Sequence, residues 1–231
     1  MEDRERESVA FGFEERIATE AQPRAVPAVH TSSIYEKVIK PTLDRIAGVA
    51  FTVVTLPVVL IIVPMIWAKL GRPAIFRQVR VGRFGEEFTV YKLRTMGDDR
   101  RDNEIDIAHP ERRMNHKSPS DPRHTPLGRL LRKWSIDEIP QFWNIALGQM
   151  SIVGPRPELP EIVRRYQPWQ HRRHEVKPGL TGLWQVSARG DAPMHEATEV
   201  DLEYVENVSF LGDASIILRT PKAALGSKQG H

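Results

Sequence analysis

Two adjacent carboxylates, Asp137 and Glu138, are the strongest candidates for chemistry in this sequence. One interpretation is structural, because Ser135 and Glu138 have the spacing of a capping box, and a helix dipole would favour Asp137 at the same place. Pro140 weakens this interpretation, since a helix started by Ser135 would put a proline where a backbone N–H is needed. If the helix begins at Pro140, both acids lie in the turn before it, where a divalent cation and a phosphate could bind.

Basic residues lie on both sides of this acidic pair in the sequence. A guanidinium fork matches phosphate oxygens in a bidentate geometry, so such a set is suited to a diphosphate. Taken alone, each of these residues is more often a solvated or salt-bridged surface side chain. Arg156 differs because it lies between two prolines that stiffen its backbone, although two prolines also describe an ordinary rigid connector. The basic candidates are Arg132, Arg156, Lys92 and Arg94.

Several common kinds of site are absent from the sequence. The chain has no cysteine, which excludes disulfides, thiolate metal sites and a cysteine nucleophile. It also has no Walker loop, no Gly-x-Gly-x-x-Gly run and no histidine pair typical of zinc. Basic side chains and a cation are therefore left to hold phosphate. Contacts to a base or ribose are predicted between Pro178 and Gly190, where Gln185 and Arg189 lie.

Local patterns predict the elements that position these residues. β-Branched and aromatic residues predict strands over 74–81 and 87–93, joined by a turn at 82–85. Amphipathic patterns predict helices over 127–133 and 140–147. Two further helices are predicted over 158–166 and 195–205, and the polar segment 97–123 predicts an exposed loop. The predicted fold class is α+β, mostly helical, with a small β-hairpin.

A long apolar segment predicts contact with a membrane. Residues 46–68 are 23 consecutive residues without a charge, bounded by Arg45 and Lys69, which is enough to cross a hydrocarbon core of about 30 Å. Pro57 and Pro64 each remove a backbone hydrogen bond and favour a kink. Positive flanks tend to stay cytoplasmic, so a helix that enters, bends at Pro57 and returns would keep both flanks on one side. These residues alone leave a re-entrant helix and a kinked span equally open. The flanking basic residues are Lys37, Lys40 and Arg45, then Lys69, Arg72, Arg77, Arg80 and Arg83.

Charge and composition narrow the function classes and the domain organisation. Lys plus Arg exceed Asp plus Glu by 33 − 30 = 3, an excess that suits an anionic membrane surface but does not indicate nucleic acid. The first 30 residues contain no apolar run of signal-peptide length, so no cleaved signal peptide is predicted. The predicted organisation is a disordered or weakly helical tail (1–34), a membrane helix (35–73), a catalytic domain (74–220) and a C-terminal tail (221–231).

Six separated segments resemble the bacterial sugar transferase family, the monotopic phosphoglycosyl transferases. They follow the family order over about Tyr35 to Arg219 and read KPTLDRIAG, IFRQVRVG, FTVYKLRTM, LRKWSIDEIPQFWNIALGQMSIVGPRP, KPGLTGLWQVSARGD and DLEYVENVSF. The resemblance implies a re-entrant helix broken at a Ser-Pro pair, which reads Leu56-Pro57 here. It also implies a monotopic protein on the cytoplasmic face of the bacterial inner membrane.

The resemblance further implies a two-step transfer. Asp137 would attack the β-phosphate of a UDP-sugar, release UMP and hold the sugar phosphate until a polyprenyl phosphate attacks it. Mg²⁺ is the implied cofactor, with Asp137 and Glu138 as its ligands, and Glu138 could instead deprotonate the lipid phosphate. Arg132 and Arg156 are implied to bind phosphate. The weaker candidates for the nucleotide sugar are Lys92, Arg94, Gln141, Gln185 and Arg189.

The implied partners are a UDP-sugar, polyprenyl phosphate and inner-membrane lipids, with a homodimer left open. Trp-Gln-Val-Ser at 184–187 gives a mild preference for a hexose, while the lipid length and the pathway stay open. The main rival is a catalytically silent, membrane-anchored scaffold, against which the intact acidic and basic residues argue. A nucleic-acid-binding domain would need a basic stripe with interleaved aromatic residues, and acids are mixed among the basic residues instead.

Overall fold

A computed structural model of the protein describes residues 33–97, 123–187 and 198–226. All of them belong to one compact unit, Ser32–His231. Nearly all of the predicted N-terminal tail lies outside the described residues. So do the interior of the predicted 97–123 loop, the start of the predicted 195–205 helix, and Arg189.

The described part of the chain is mostly helical, as the sequence predicts. Its helices are α1 (Lys40–Leu70), α2 (Pro126–Lys133), α3 (Gln141–Ala146), α4 (Pro160–Val163), α5 (Leu183–Ser187), α6 (Thr198–Glu206) and α7 (Phe210–Gly226). Its strands are β1 (Ile75–Val81), β2 (Glu87–Leu93), β3 (Ser151–Val153) and β4 (Gly179–Thr181). A π-helical turn, Tyr35–Ile39, leads into α1, and short 3₁₀ segments cover Arg83–Gly85, Ile136–Glu138 and Pro168–Glu175.

The predicted hairpin is confirmed. Strands β1 and β2 pair antiparallel from Ile75 opposite Leu93 to Val81 opposite Glu87. The chain reverses through a short turn in which Gly85 adopts φ 84°, a left-handed conformation that glycine tolerates without steric cost. Strands β3 and β4 form a second, parallel pair.

Helix α1 is the candidate membrane segment. Together with the turn before it, it covers Tyr35–Leu70, which is long and apolar enough to cross a membrane. Its outward side chains are apolar, with Val54 70% and Ile61 66% exposed, as expected of a surface that meets lipid rather than water. Helix α1 runs without interruption through Pro57 and Pro64, so the predicted break at Pro57 is not confirmed.

The start of α1 is fixed to the globular part by buried polar contacts. Lys40 Nζ forms an ion pair with Asp213 Oδ2 of α7 at 2.6 Å. Asp44 accepts hydrogen bonds from Ser151 Oγ at 2.7 Å and from the backbone N–H of Ile152 at 3.0 Å. Lys40, which the sequence presents as a flanking charge, is therefore 9% exposed and paired inside the protein.

The other end of α1 packs on the same globular part. Ile62 and Ile66 belong to a buried cluster with Leu93 of β2 and Leu131 of α2. The Arg94 guanidinium donates to the carbonyl oxygen of Leu70 at 2.6 Å, which satisfies one of the free carbonyls at the helix end. Both ends of α1 thus contact the domain that carries the acidic pair.

Some predicted elements differ from the observed ones. The helix predicted over 158–166 shortens to Pro160–Val163, because the Glu158 backbone pairs with Val81 at the end of β1. The 3₁₀ segment Pro168–Glu175 and helix α5 were not predicted. Helix α7 was not predicted either, and it continues past residue 220 to Gly226.

Candidate active site

The acidic pair lies in a turn between two helices. Ser135 adopts the left-handed conformation (φ 53°, ψ 23°) and makes no capping hydrogen bond. The 3₁₀ segment Ile136–Glu138 follows it, and α3 begins after Pro140, its N-cap residue. The capping-box interpretation is therefore wrong, and the predicted placement of both acids before the helix that follows Pro140 is confirmed. A non-glycine residue at positive φ carries a modest strain, and here it lies two residues before Asp137.

Glu138 is held between two cations from different parts of the fold. Its Oε1 accepts hydrogen bonds from Lys92 Nζ at 2.7 Å and from Arg156 Nη2 at 2.9 Å. Lys92 is near the end of β2, and Arg156 lies in the turn after β3. Burial alone would raise the pKa of Glu138, but the two charges and their hydrogen bonds hold it well below its usual range. Glu138 is therefore ionised at any physiological pH.

Asp137 has the opposite environment. It is 9% exposed and forms no ion pair with any residue in the described ranges. Burial, reinforced by the adjacent Glu138 charge, raises the pKa of Asp137 to about 6, although Lys92 and Arg156 partly oppose the shift. The structure thus sets one paired carboxylate beside one whose charge is poorly compensated.

The acidic pair fits a divalent cation of the magnesium type. Among the described residues, no group of three or more His, Cys, Asp or Glu side chains is placed to hold a metal ion. Mg²⁺ commonly uses only one or two carboxylates and takes its other ligands from phosphate and water. A cation at Asp137 would also offset the cost of burying that carboxylate.

Two other predicted site residues, Arg132 and Arg94, make structural contacts. Arg132 donates from Nη1 to Thr95 Oγ1 at 3.0 Å. Arg94 holds the end of α1, as described above. Their predicted roles in binding phosphate and nucleotide sugar stay predictions.

The two predicted glutamines are buried and incompletely bonded. Gln141 is 3% exposed, and its Nε2 has no hydrogen-bond partner in the described part of the chain. Gln185, on α5, donates to the carbonyl oxygen of Leu180 at 3.3 Å, while its Oε1 is likewise unpartnered within the described ranges.

Of the predicted site residues, the structure brings four together: Asp137, Glu138, Lys92 and Arg156.

The acidic pair and its two cations define an enzyme site suited to an anionic substrate. The site lies on a small α+β domain that carries a long apolar helix, so that substrate would bind beside a membrane. Residues 35–227 match the family model described as bacterial sugar transferase. The chain belongs to this membrane-associated family, and it is a transferase.

Individual relatives agree with the family match. The chain is 38% identical over 191 residues to the uncharacterized sugar transferase EpsL of Bacillus subtilis, covering 83% of this chain and 89% of that protein. It is 36% identical over 196 residues to the undecaprenyl-phosphate galactose phosphotransferase of Salmonella typhimurium, covering 81% and 40%. It is 37% identical over 208 residues to the UDP-glucose:undecaprenyl-phosphate glucose-1-phosphate transferase of Caulobacter vibrioides, covering 83% and 72%. The chain spans 38–42% of the length of several curated relatives that it matches.

Proposed function

We propose that this chain transfers a sugar-1-phosphate from a UDP-sugar to a polyprenyl phosphate, with release of UMP, as the first membrane step of exopolysaccharide or related glycan synthesis. The names of the Salmonella and Caulobacter relatives support the lipid phosphate and the sugar nucleotide as substrates. The observation that carries the proposal is the contrast within the acidic pair. Glu138 is paired with Lys92 and Arg156, whereas Asp137 is buried without an ion pair to any described residue.

Asp137 is the nucleophile in this proposal. A carboxylate oxygen of Asp137 attacks the β-phosphorus of the UDP-sugar, and the bond from that phosphorus to the bridging oxygen breaks. UMP leaves with the electron pair of that bond, and the sugar phosphate stays on Asp137 as an acyl phosphate. An oxygen of the polyprenyl phosphate then attacks the same phosphorus and frees the carboxylate.

The residues around Asp137 reduce the repulsion between a carboxylate and a diphosphate. Lys92 and Arg156 each direct an N–H at Glu138 and have further donors that can bind phosphate oxygens. Asp137 and Glu138 are the proposed ligands of Mg²⁺, which would supply neutralising charge when bound. Glu138 also keeps the two cations at the site in the absence of substrate.

We further propose that α1 is re-entrant and that both its ends face the cytoplasm. An unbroken α1 of 31 residues would be about 46 Å long. A straight crossing would carry one end away from the globular domain, yet Lys40 near one end and Ile66 near the other are both buried against it. Both ends make these contacts in the unbroken helix, and a bend at Pro57 would let the middle of α1 enter the lipid while both ends stay at the domain.

The orientation of α1 can be tested by labelling. Because the chain has no native cysteine, Lys37→Cys and Arg72→Cys each introduce a single exposed thiol at opposite ends of α1. A membrane-impermeant maleimide should label both variants from the cytoplasmic side in inside-out vesicles. Labelling from opposite sides would exclude re-entry.

The transfer reaction can be tested with purified protein in detergent, Mg²⁺, polyprenyl phosphate and a panel of UDP-sugars, with hexoses first. UMP release should depend on a matching donor, should be abolished in Asp137→Asn and should be strongly reduced in Glu138→Gln. Glu203→Gln, which changes an exposed carboxylate on α6, is the matched control and should release UMP normally. Normal release by Asp137→Asn would refute the covalent route.

The acyl phosphate can be sought directly by intact mass spectrometry. Without a lipid acceptor, the wild-type protein should gain the mass of one sugar phosphate, and hydroxylamine should remove it. Asp137→Asn should gain no mass. If no donor yields UMP or an adduct on folded wild-type protein, the silent scaffold becomes the better interpretation.

A further inference from the structure

The turn that presents Arg156 is held in place by donors from outside it. Residues 155 and 157 are prolines, which have no backbone N–H. The three carbonyl oxygens of the turn 155–157 instead accept hydrogen bonds from three separate segments. The Pro155 carbonyl accepts from the backbone N–H of Gly179 at 2.9 Å. The Arg156 carbonyl accepts from Arg173 Nη2 at 2.8 Å, and the Pro157 carbonyl accepts from Arg80 Nη1 at 3.2 Å.

Arg173 is the buried donor of this set. It is 2% exposed, and its Nη2 also donates to Asp201 Oδ2 on α6 at 2.5 Å. Its Nη1 donates to the Tyr166 hydroxyl oxygen at 2.6 Å. The planar guanidinium fork can serve these acceptors at once, which the single ammonium of a lysine cannot do in the same geometry.

Stability alone does not account for this arrangement. A buried ion pair commonly adds no more stability than apolar side chains of similar volume, because both charges must leave water. Arg173 and Asp201 are almost completely buried, so both lose their hydration. What the pair provides is a fixed, charge-assisted donor aimed at the carbonyl of Arg156.

We propose that Arg173, held by Asp201 and Tyr166, is a positioning residue for Arg156. Through the Arg156 carbonyl it fixes the backbone from which the Arg156 side chain reaches Glu138 at 2.9 Å. It thereby sets where the Arg156 charge meets the diphosphate of the nucleotide sugar. This inference rests on the proposed function, in which Arg156 binds that diphosphate.

The test is the kinetics of UMP release by Arg173→Lys, which keeps the charge but loses the fork. The KM for the UDP-sugar should rise about tenfold, as expected for the loss of one hydrogen bond to a charged group, with a smaller change in kcat. Arg172→Lys is the matched control, because its side chain pairs with Glu175 and Glu206 and not with the turn. Arg172→Lys should leave KM unchanged.

A double-mutant cycle separates positioning from a general loss of structure. If Arg173 acts through Arg156, adding Arg173→Lys to Arg156→Lys should raise KM no further. Independent effects would instead multiply, to about a hundredfold if each is about tenfold. Multiplying effects, or an unchanged KM in folded Arg173→Lys, would overturn the proposal.

A milder variant keeps the proposal testable if Arg173→Lys fails to fold. Tyr166→Phe removes one hydrogen bond to Arg173 and keeps the ring. It should raise KM in the same direction by a smaller factor, and only while Arg156 is present. An unchanged KM in Tyr166→Phe would then count against the proposal. If the wild-type protein releases no UMP from any donor, the proposed function is overturned, and the role of Arg173 with it. If the wild type turns over normally and Arg173→Lys is unaffected, only the role of Arg173 is overturned.

Discussion

Replacing Asp137 by asparagine should make the metal-free protein more stable at neutral pH, although the same change removes the proposed nucleophile. The reason is that the Asp137 carboxylate is buried without an ion pair to a described residue. Its charged form is therefore less stable in the folded protein than in water. Asparagine has nearly the same shape and carries no charge to bury.

The magnitude follows from the pKa. The pKa of Asp137 rises from 3.8 to about 6 on folding, a shift of about two units or about 3 kcal/mol. Because the folded state holds this proton more tightly than the unfolded chain, the contribution to stability is fully present below pH 3.8 and is lost as pH rises through about 6. At pH 7.5 the asparagine variant should gain up to about 3 kcal/mol, or about 6–12 °C in Tm for a domain of this size.

Glu138→Gln should have the opposite effect. Lys92 and Arg156 hold the pKa of Glu138 well below its usual range, so the charged form stabilises the folded state at pH values above the unfolded pKa of about 4.5. A neutral glutamine would leave both cations without their shared counter-charge. We expect a loss of about 3 kcal/mol at pH 7.5, by analogy with other broken ion pairs of low exposure.

These differences can be measured by thermal unfolding of both variants and the wild type. The protein is kept in detergent with EDTA, and the pH is varied from 4 to 8. The gain of Asp137→Asn should be largest at pH 7.5 and should shrink towards pH 4. Added Mg²⁺ should raise the Tm of the wild type more than that of Asp137→Asn. If Asp137→Asn is less stable than the wild type at pH 7.5, or if its gain does not depend on pH, the reasoning about this carboxylate is refuted.

Two further predictions concern packing. Gly128→Ala should destabilise the protein by at least about 2 kcal/mol, because a Cβ at Gly128 would overlap the carbonyl oxygen of Thr95. Gly97→Ala is the control, since the atom nearest to its Cβ would be 3.9 Å away. Equal Tm values for the two variants would contradict this explanation. Asp44→Ala should lower stability by about 2 kcal/mol, because it removes the acceptor of the Ile152 backbone N–H and one acceptor of the buried Ser151 hydroxyl, while Lys40 keeps Asp213. An unchanged Tm would show that the Asp44 contacts do not hold α1 to the domain.

The sequence predicts the parts of the site that depend on local chemistry. The β-branched pattern of the hairpin places Lys92 near a strand end, and Pro140 indicates that the acids lie before a helix rather than inside it. Two prolines mark the Arg156 turn. The sequence does not predict that Lys92 and Arg156 both contact Glu138, because they lie 46 and 18 residues away from it along the chain.

The missed features depend on contacts between distant parts of the chain. Helix α7 has apolar residues on its outer side as well as its inner side, with Leu218 80% exposed and Ile216 buried, so no amphipathic pattern identifies it. Arg173 lies in a run of charged residues and has no local feature that distinguishes a buried arginine from a solvated one. Its partner Asp201 is 28 residues away, and only the packing of α6 brings the two together.

The contacts at the start of α1 bear on how the protein is made. Lys40 and Asp44 leave the ribosome long before their partners, since Asp213 follows Lys40 by 173 residues and Ser151 follows Asp44 by 107. When α1 first meets the membrane, these two charges have no tertiary partners and must stay in water. Translocation of this end across the bilayer at that stage would separate it from Asp213, which emerges on the ribosome side. In the proposed re-entrant arrangement the first turn of α1 stays on that side during synthesis, where it can pair with Asp213 once α7 is made.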